Sequence, residues 1–359
     1  MPSPEHFEPK RQPPPKRRLP LRRRLLFALV PLLGLLLAGE IALRLARAPL
    51  HFGSFRELRL DLMRRNYPAV LDATLGYAPE PGFRSRDNHW GTQVSINAQG
   101  LRENGGDTRR PNGPAIACVG DSFTFGDQVD DGDTWPARLE QLLEQPVHNG
   151  GVFGYSLTQT VLRGEQLLER YRPATLIVSL IADDVVRSTY SRRYVRVPWV
   201  AFVGDGLELR GVPIAHDQER RQDPERWWKD LIGHSALVDA ILAGTARRWW
   251  IEQDKQVAVP ALQGQLPDLA ERLLQRIARA CQQRRVRLLV VLQGKDHQAW
   301  LVQAMARART HGIEVLDLVA EFHALAAQDP NLDERWFDGH MTPAGNAWVA
   351  TRVAAALRR

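Results

Sequence analysis

A serine in a tight-turn setting and an Asp–His pair near the other end of the chain could together perform nucleophilic catalysis. Residues 118–126 read Cys-Val-Gly-Asp-Ser-Phe-Thr-Phe-Gly and directly follow the apolar run Ala-Ile-Ala. This pattern places Ser122 at a strand-to-helix turn, where N–H groups at the start of the next helix can stabilise an oxyanion. Asp338 and His340 stand two residues apart, before a Thr-Pro pair that is typical of a helix start. Ser122 as nucleophile, His340 as base and Asp338 as the carboxylate that orients the imidazole would form a triad.

Two further segments, read together with these, resemble the SGNH (GDSL-type) hydrolase family over about residues 113–359. The family's second block is Asn-x-Gly followed by a glycine three residues on, and its third is Gly-x-Asn-Asp. The Asp-x-His spacing at the end of the chain is also found in membrane-associated relatives that modify polysaccharides. The matching segments are Gly120–Ser122, Asn149–Gly154, Ile181–Asp184 and Asp338–His340.

The resemblance implies an oxyanion hole made by the backbone of Ser122, the N–H of Gly151 and the residue at position 183. The family has an Asn at this last position, whereas this chain has Asp183. An ionised carboxylate only accepts hydrogen bonds, so Asp183 would repel an oxyanion unless it is protonated or turned away. Losing one oxyanion donor typically costs ~10²–10³ in rate. Three functions therefore stay open: a serine esterase, an O-acyltransferase on a polysaccharide, and a non-catalytic polysaccharide-binding domain.

The charge distribution argues against nucleic-acid binding. The 359 residues carry a formal net charge of +7, and 44% of them are hydrophobic, which is enough for a full-sized core. Residues 1–24 hold eight basic and two acidic residues, so the rest of the chain is close to neutral. No basic patch is left to meet phosphates, and residues 1–24 are predicted to be a basic cytoplasmic tail.

An apolar segment follows this tail and predicts a transmembrane anchor over residues 25–46. Positions 25–39 contain no charged residue, and the apolar pattern resumes after Glu40. Nineteen helical residues span about 28 Å, close to the thickness of a bilayer core. Basic residues before the segment favour a single-pass, N-in orientation in a bacterial inner membrane, with the large domain in the periplasm or extracytoplasmic space. A cleaved signal peptide and a buried helix are the alternatives.

The order of apolar segments predicts an α/β fold with a doubly wound, mostly parallel five-stranded sheet and helices on both faces, flavodoxin-like as in SGNH hydrolases. After a β-rich lead-in over 47–112, strands are predicted at 115–119, 146–148, 175–181, 287–292 and 313–318. Helices are predicted at 135–143, 157–171, 266–284, 297–310 and 342–357. Ser122, Gly151 and Asp183 each follow a predicted strand, at the sheet edge where such folds bind ligands. Residues 185–262 interrupt domain 113–359 as an insertion, either with its own small core or as a cap over the site.

No metal or organic cofactor is expected. The two cysteines, Cys118 and Cys281, form neither a disulfide framework nor a ligand cluster, and there is no phosphate-binding loop. The sequence as a whole favours an extracytoplasmic serine esterase that works through an acyl-enzyme. The resemblance implies an acylated carbohydrate of an exported or cell-wall polymer, or a lipid, as the substrate.

Overall fold

A computed structural model describes residues 20–46, 51–64, 68–86, 91–105, 112–204, 206–215, 226–252, 256–296 and 298–359. The predicted cytoplasmic tail, except for residues 20–24, lies outside these ranges. Within them, the first helix, α1 (Leu21–Ala46), is followed by α2 (Phe55–Arg64) and by four short strands. These strands are β1 (Ala69–Asp72), β2 (Gly76–Pro79), β3 (Arg84–Ser85) and β4 (Val94–Ser95). The lead-in was expected to be β-rich, and α2 was not predicted.

A five-stranded parallel sheet forms the centre of the main domain. Its strands are β5 (Ile116–Val119), β6 (Val147–Asn149), β7 (Thr175–Leu180), β13 (Arg287–Leu292) and β14 (Glu314–Asp317). They run in the order β14-β13-β7-β5-β6, and every neighbouring pair is parallel. All five lie where the continuous apolar runs predicted them, because strands covered on both faces need apolar residues at nearly every position.

Amphipathic helices cover both faces of this sheet. One face packs against α5 (Leu157–Tyr171), α9 (Leu266–Arg284) and α10 (Ala299–Thr310), and the other against α4 (Trp135–Leu143), α11 (Leu318–Ala326) and α13 (Pro343–Leu357). Successive side chains of β5 alternate between the two cores: Ala117 belongs to the first, and Cys118 to the second. The fold is therefore the predicted doubly wound α/β architecture. Both cysteines are buried free thiols.

Short helices follow two of the central strands at their carboxyl ends: α3 (Ser122–Phe125) after β5 and α6 (Ala182–Arg187) after β7. The strand pair β15 (Phe337–Asp338) and β16 (His340–Met341) follows α12 (Leu332–Trp336). The antiparallel pair β15–β16 turns at Gly339, whose φ of 76° suits glycine. This sheet edge thus gathers the segments that carry the predicted site.

The insertion between β7 and β13 forms several small units. A three-stranded sheet is made by β8 (Tyr190–Arg193), β9 (Val195–Arg196) and β12 (Gln256–Ala258), and a hairpin by β10 (Trp199–Val203) and β11 (Gly206–Arg210). Two helices, α7 (Arg226–Ile232) and α8 (Ala236–Thr245), complete it. The ring of Trp249 lies 5.7 Å from that of Trp228 and 5.8 Å from that of Trp250, so these three tryptophans pack together.

A buried arginine of the lead-in joins it to the main domain. The guanidinium of Arg102 donates to the carbonyls of Gln93, Phe125, Gly126 and Val129 at 2.6–3.1 Å, and to Asp131 at 3.1 Å. Its backbone N–H donates to the carbonyl of Asn149 at the end of β6. These bonds fix the loop that follows α3 and lie just behind the predicted nucleophile.

The apolar helix α1 extends from the domain. Residues 26–46 have a mean hydropathy of 2.3, and this is the one helix in the described part of the chain that is long and apolar enough to cross a membrane. Its large apolar side chains between Leu26 and Leu37 are exposed. Among the side chains of α1 whose burial is described, those at positions 39, 40, 43 and 44 are partly covered, so the domain contacts α1 near its C-terminal end.

Candidate active site

Ser122 is the first residue of α3, directly after the tight turn that ends β5. Asp121 is the N-cap of this helix, and its Oδ1 accepts the N–H of Phe123 at 3.0 Å. Gly126 ends the helix after one turn with a φ of 88°. Within the described residues the N–H of Ser122 makes no hydrogen bond, as is usual in the first turn of a helix. The serine therefore presents both a hydroxyl and a backbone donor at this edge.

His340 lies within hydrogen-bonding distance of Ser122. Its Nε2 is 2.9 Å from the Ser122 Oγ, although 218 positions separate the two residues. The backbone N–H of His340 donates to Gln128 Oε1 at 2.8 Å, and its ring centroid is 5.4 Å from that of Phe123. Strand β16 is thus held against the loop after α3, and this contact aims the imidazole at the hydroxyl.

Burial lowers the pKa of His340 below its ordinary value of 6.5. The nearby Asp121 carboxylate raises this pKa, whereas the positive charge of Arg187 lowers it further. A lowered pKa favours the neutral imidazole at pH 7, which is the form that can accept a proton from Ser122.

Two carboxylates lie near the imidazole, and they differ in burial. Asp338 pairs with His340 across β15–β16, but its side chain is exposed and has no hydrogen bond or ion pair among the described residues. Asp127 is buried, and its Oδ2 lies 3.7 Å from His340 Nε2. Sequence reasoning missed Asp127, although it lies only five residues after the serine.

Among the described residues, the Asp183 carboxylate makes no hydrogen bond with Ser122. Its side chain is 70% exposed, and its nearest charged partner is Arg187 at 3.7 Å. The next residue, Asp184, is buried and accepts the N–H of Ile181 at 3.1 Å. Asp183 is therefore solvent-exposed and makes no described contact with the nucleophile.

Arg187, one turn further along α6, bonds to Asp121, the residue that precedes Ser122. Its Nη1 donates to Asp184 Oδ1 at 2.8 Å and to Asp121 Oδ2 at 3.0 Å. The same Asp121 oxygen accepts from the Ser122 Oγ at 3.3 Å. Burial and the Asp121 carboxylate raise the pKa of Asp184 well above its usual range, and Arg187 opposes this rise. Sequence reasoning missed Arg187; the only signal was an arginine three residues after an acidic pair at a strand end.

Two of the three glycines in the loop after β6, Gly151 and Gly154, differ in what their backbone N–H groups can do. The N–H of Gly151 donates to Asn149 Oδ1 at 3.1 Å, so it is already engaged. The N–H of Gly154 makes no hydrogen bond within the described part of the chain, and its φ of 66° suits glycine. A Cβ on Gly151 would lie 2.4 Å from the Phe125 nitrogen, so this loop packs directly on α3.

No protein-family model and no curated protein matches this sequence. Among solved structures, a lipase/acylhydrolase from Enterococcus faecalis is 11% identical with a TM-score of 0.39, over 68% of this chain and 96% of that one. A catalytic mutant of Axe2, an acetylxylan esterase from Geobacillus stearothermophilus, is 14% identical with a TM-score of 0.38, over 68% and 94%. A GDSL-like lipase from Bacteroides thetaiotaomicron is 9% identical with a TM-score of 0.36, over 68% and 87%.

The chain is similar to solved GDSL-type lipases and esterases. At these identities and TM-scores, none of the likenesses bears on what the chain binds or hydrolyses. Its function rests on the geometry around Ser122 and His340.

Proposed function

We propose that this chain is a membrane-anchored serine esterase that cleaves O-acyl esters of a carbohydrate through an acyl-enzyme. The observation that carries the proposal is the 2.9 Å contact between Ser122 Oγ and His340 Nε2 at the carboxyl edge of the parallel sheet. Acyl transfer requires a nucleophile in contact with a base. Here the two are far apart in sequence and meet at the sheet edge where such folds bind ligands.

The proposed reaction has two steps. His340 takes the proton of Ser122 as Oγ attacks the ester carbonyl, and it then gives this proton to the departing sugar hydroxyl, which leaves an acyl-serine. Water, deprotonated by the same imidazole, attacks the acyl-serine; the bond from the acyl carbon to Ser122 Oγ breaks, the acid is released, and His340 returns the proton to Oγ. The backbone N–H groups of Ser122 and Gly154 are the candidate oxyanion donors, since neither has a partner among the described residues. The N–H of Gly151, predicted for this role, would first have to leave Asn149.

We assign the orienting role to Asp338 and an electrostatic role to Asp127. Because Nε2 faces Ser122, an orienting carboxylate must meet the other ring nitrogen, and Asp338 lies across the strand pair from His340. Asp127 lies 3.7 Å from Nε2, where its charge would stabilise the imidazolium that forms during catalysis.

The carbohydrate ester is proposed from the Asp-x-His spacing, which resembles that of membrane-associated relatives that modify polysaccharides. Hydrolysis needs only the groups named above and water. An acyltransferase would use the same acyl-serine but pass the acyl group to a second sugar hydroxyl.

We also propose that α1 is a retained anchor and not a cleaved signal. Glu40 and Arg44 of this helix make hydrogen bonds to residues 234–237 of the domain, so cleavage after them would remove part of the folded structure. With the basic residues N-terminal to the span, this helix gives an N-in orientation and an extracytoplasmic catalytic domain.

Phosphonate trapping tests the chemistry. The purified full chain, treated with a serine-directed alkyl phosphonate, should gain the mass of one adduct and lose activity on a short-chain acetyl ester. Ser122→Ala should take no adduct and show no activity, whereas Ser191→Ala, a serine of the insertion, should behave as wild type. A wild-type chain that takes no adduct would instead favour a non-catalytic binding domain, and an adduct with turnover only when a sugar acceptor is added would favour the transferase.

A further inference from the structure

The junction between α1 and the domain is built from specific hydrogen bonds. The Glu40 carboxylate accepts from Ser235 Oγ at 2.7 Å and from the N–H groups of Ala236 and Leu237 at 3.0 and 2.9 Å, which caps the N-terminus of α8. Arg44 bonds to Glu40 at 2.6 Å and donates to the carbonyl of His234 at 2.6 Å. The last two turns of α1 are therefore fixed to the segment that joins α7 and α8.

This segment belongs to a helical unit that α2, α7, α8 and residues 248–252 form together. Buried Arg56 of α2 pairs with Asp230 of α7 and donates to the carbonyl of Trp250 at 3.0 Å. Buried Asp239 of α8 accepts from Arg59 at 2.7 Å and from the Trp250 indole N–H at 3.1 Å. Because buried ionic and polar groups bond across all four parts, we treat this anchor-side helical unit as one rigid body.

Large apolar side chains are exposed on this unit in an unusual concentration. Outside α1, the described residues include ten exposed large hydrophobic side chains, and five of them lie in segments 51–64 and 226–252. Trp227 and Leu231, which are 66% and 61% exposed, lie one turn apart on α7. The complete set is Phe52, Trp227, Leu231, Ile232 and Ile241.

Phe52 lies beside the point where α1 leaves the domain, and α7 and α8, which carry the other four side chains, flank His234 and Ser235, which bond to α1. The Arg44 guanidinium is 5.9 Å from the centre of the Phe52 ring, and the Phe52 carbonyl is 3.2 Å from His234 Nδ1. On α8, both δ carbons of Leu237 lie 3.6 Å from the position a Cβ on Gly39 would take, and Ile241 is one helical turn beyond. Gly39 ends the uncharged part of α1, and the charged Glu40 and Arg44 that follow favour the outer bilayer interface over its hydrocarbon core.

We propose that the surface formed by Phe52, Trp227, Leu231, Ile232 and Ile241 rests in the outer interface of the bilayer that α1 spans. The inference rests on the proposed anchor. An embedded α1 holds the rigid helical unit beside the lipid, and aromatic and large aliphatic side chains at such a surface are stabilised at the interface, where Trp is enriched. The domain thus has two membrane contacts, the helix and this surface.

The test uses site-specific fluorescence of the full chain in nanodiscs of phosphatidylcholine and phosphatidylglycerol. Leu231→Cys and Ile241→Cys are labelled with an NBD dye. The native Cys118 and Cys281 are buried and unmodified wild type serves as the labelling blank. Leu33→Cys in α1 is the positive control, and Leu142→Cys, an exposed position on α4, is the matched control outside the surface.

We expect a blue-shifted emission at positions 231 and 241 and a loss of intensity when doxyl-labelled lipids are included, as at position 33 and unlike position 142. Positions 231 and 241 that behave like 142 while 33 is quenched would overturn the proposed surface and leave the anchor intact. No quenching at 33 would overturn both. In nanodiscs that hold two labelled copies of the chain, a blue shift at positions 231 and 241 without quenching by the doxyl-labelled lipids would overturn the lipid contact. It would indicate that the surface binds a second copy of the chain instead. The phosphonate assay decides the chemistry independently.

Discussion

Ser122 and His340 show how much of the site can be read from residue types alone. The sequence identified both residues because Ser122 lies in a strand-to-helix turn and His340 lies beside an aspartate just before a helix start. The structure places Oγ and Nε2 2.9 Å apart. The sequence could not tell which way Asp183 points. In α6 the buried side chains are those of Asp184 and Val185, whereas Asp183 is exposed, so a shift of one position decides whether a carboxylate is buried or solvent-exposed.

The positive charge of Arg187 acts on His340, so Arg187→Gln should change how kcat/KM depends on pH. Arg187 lowers the pKa of His340, and its removal also leaves Asp121 and Asp184 without their shared cation. The wild-type acid limb of kcat/KM should lie below the ordinary pKa of 6.5, because only the neutral imidazole is a base. In Arg187→Gln the limb should move to higher pH, with a loss of stability of about 3–5 kcal/mol for breaking a buried pair.

The control for this variant is Arg193→Gln. Arg193 is another largely buried arginine and donates to the carbonyl of Gly154 at 2.7 Å, but it is not among the charges that shift the pKa of His340. Its acid limb should stay at the wild-type position. An unchanged limb in Arg187→Gln would mean that this side chain has only a structural role.

Asp183→Asn should leave activity within a few-fold of wild type. If the Asp183 carboxylate occupied the oxyanion hole, the added N–H would raise the rate by up to ~10²-fold. Its exposed position and its distance of 3.7 Å from Arg187 argue for the smaller effect. The measurement is kcat/KM on an activated acetyl ester, with Ser122→Ala as the background. A large rise would show that α6 rearranges when substrate binds.

At the scale of elements, the predicted strands and helices agree with the structure to within a residue or two at most ends. Continuous apolar strands and 3.6-residue periodicity are local signals, and the sheet forms where they alternate. Helix α2 was missed because its partners lie more than 170 positions away: Arg56 bonds to Asp230 and Trp250. The same holds for the capping of α8 by Glu40. A sequence window cannot show which distant groups will satisfy a buried arginine or a helix N-terminus.

The loop after β6 and helix α3 touch so closely that Gly151→Ala should disable the site. The added Cβ would lie 2.4 Å from the Phe125 nitrogen and 2.6 Å from the Thr124 carbonyl carbon, so α3 and Ser122 must shift. A displacement of about 1 Å can cost ~10²-fold in rate, and overpacking costs about 1–3 kcal/mol.

Gly244→Ala is the matched control for this change. A Cβ at Gly244 of α8 meets no atom within 4 Å, and Ala is the better helix former, so stability should be unchanged or up to about 1 kcal/mol higher. Both variants are measured by urea unfolding and by kcat/KM. Equal activity in wild type and Gly151→Ala would argue that α3 does not have to be held at its observed distance.

For the whole molecule, we expect the chain to be recovered from membranes with α1 intact. Peptides that contain Glu40 should be found by mass spectrometry of the membrane fraction, and the chain should resist high-salt washing. A reporter fused after Arg359 should be active outside the cytoplasm. Recovery of a soluble product that begins after residue 46 would contradict the retained anchor, since Glu40 and Arg44 bond to the domain.

Arg102 decides where a truncated enzyme can begin. A fragment that starts at residue 113, where the predicted hydrolase domain begins, would lack Arg102. It would therefore lose the guanidinium that donates hydrogen bonds to the carbonyls of Phe125, Gly126 and Val129. These carbonyls belong to the last residue of α3 and to the loop after it, and leaving buried acceptors without a donor costs about 1–3 kcal/mol each. The shortest fragment that keeps the site in order therefore has to start upstream of Gln93, whose carbonyl is a further partner of Arg102. Limited proteolysis from the N-terminal side should therefore stop before Gln93. The active fragment should still contain the lead-in from Gln93 onward.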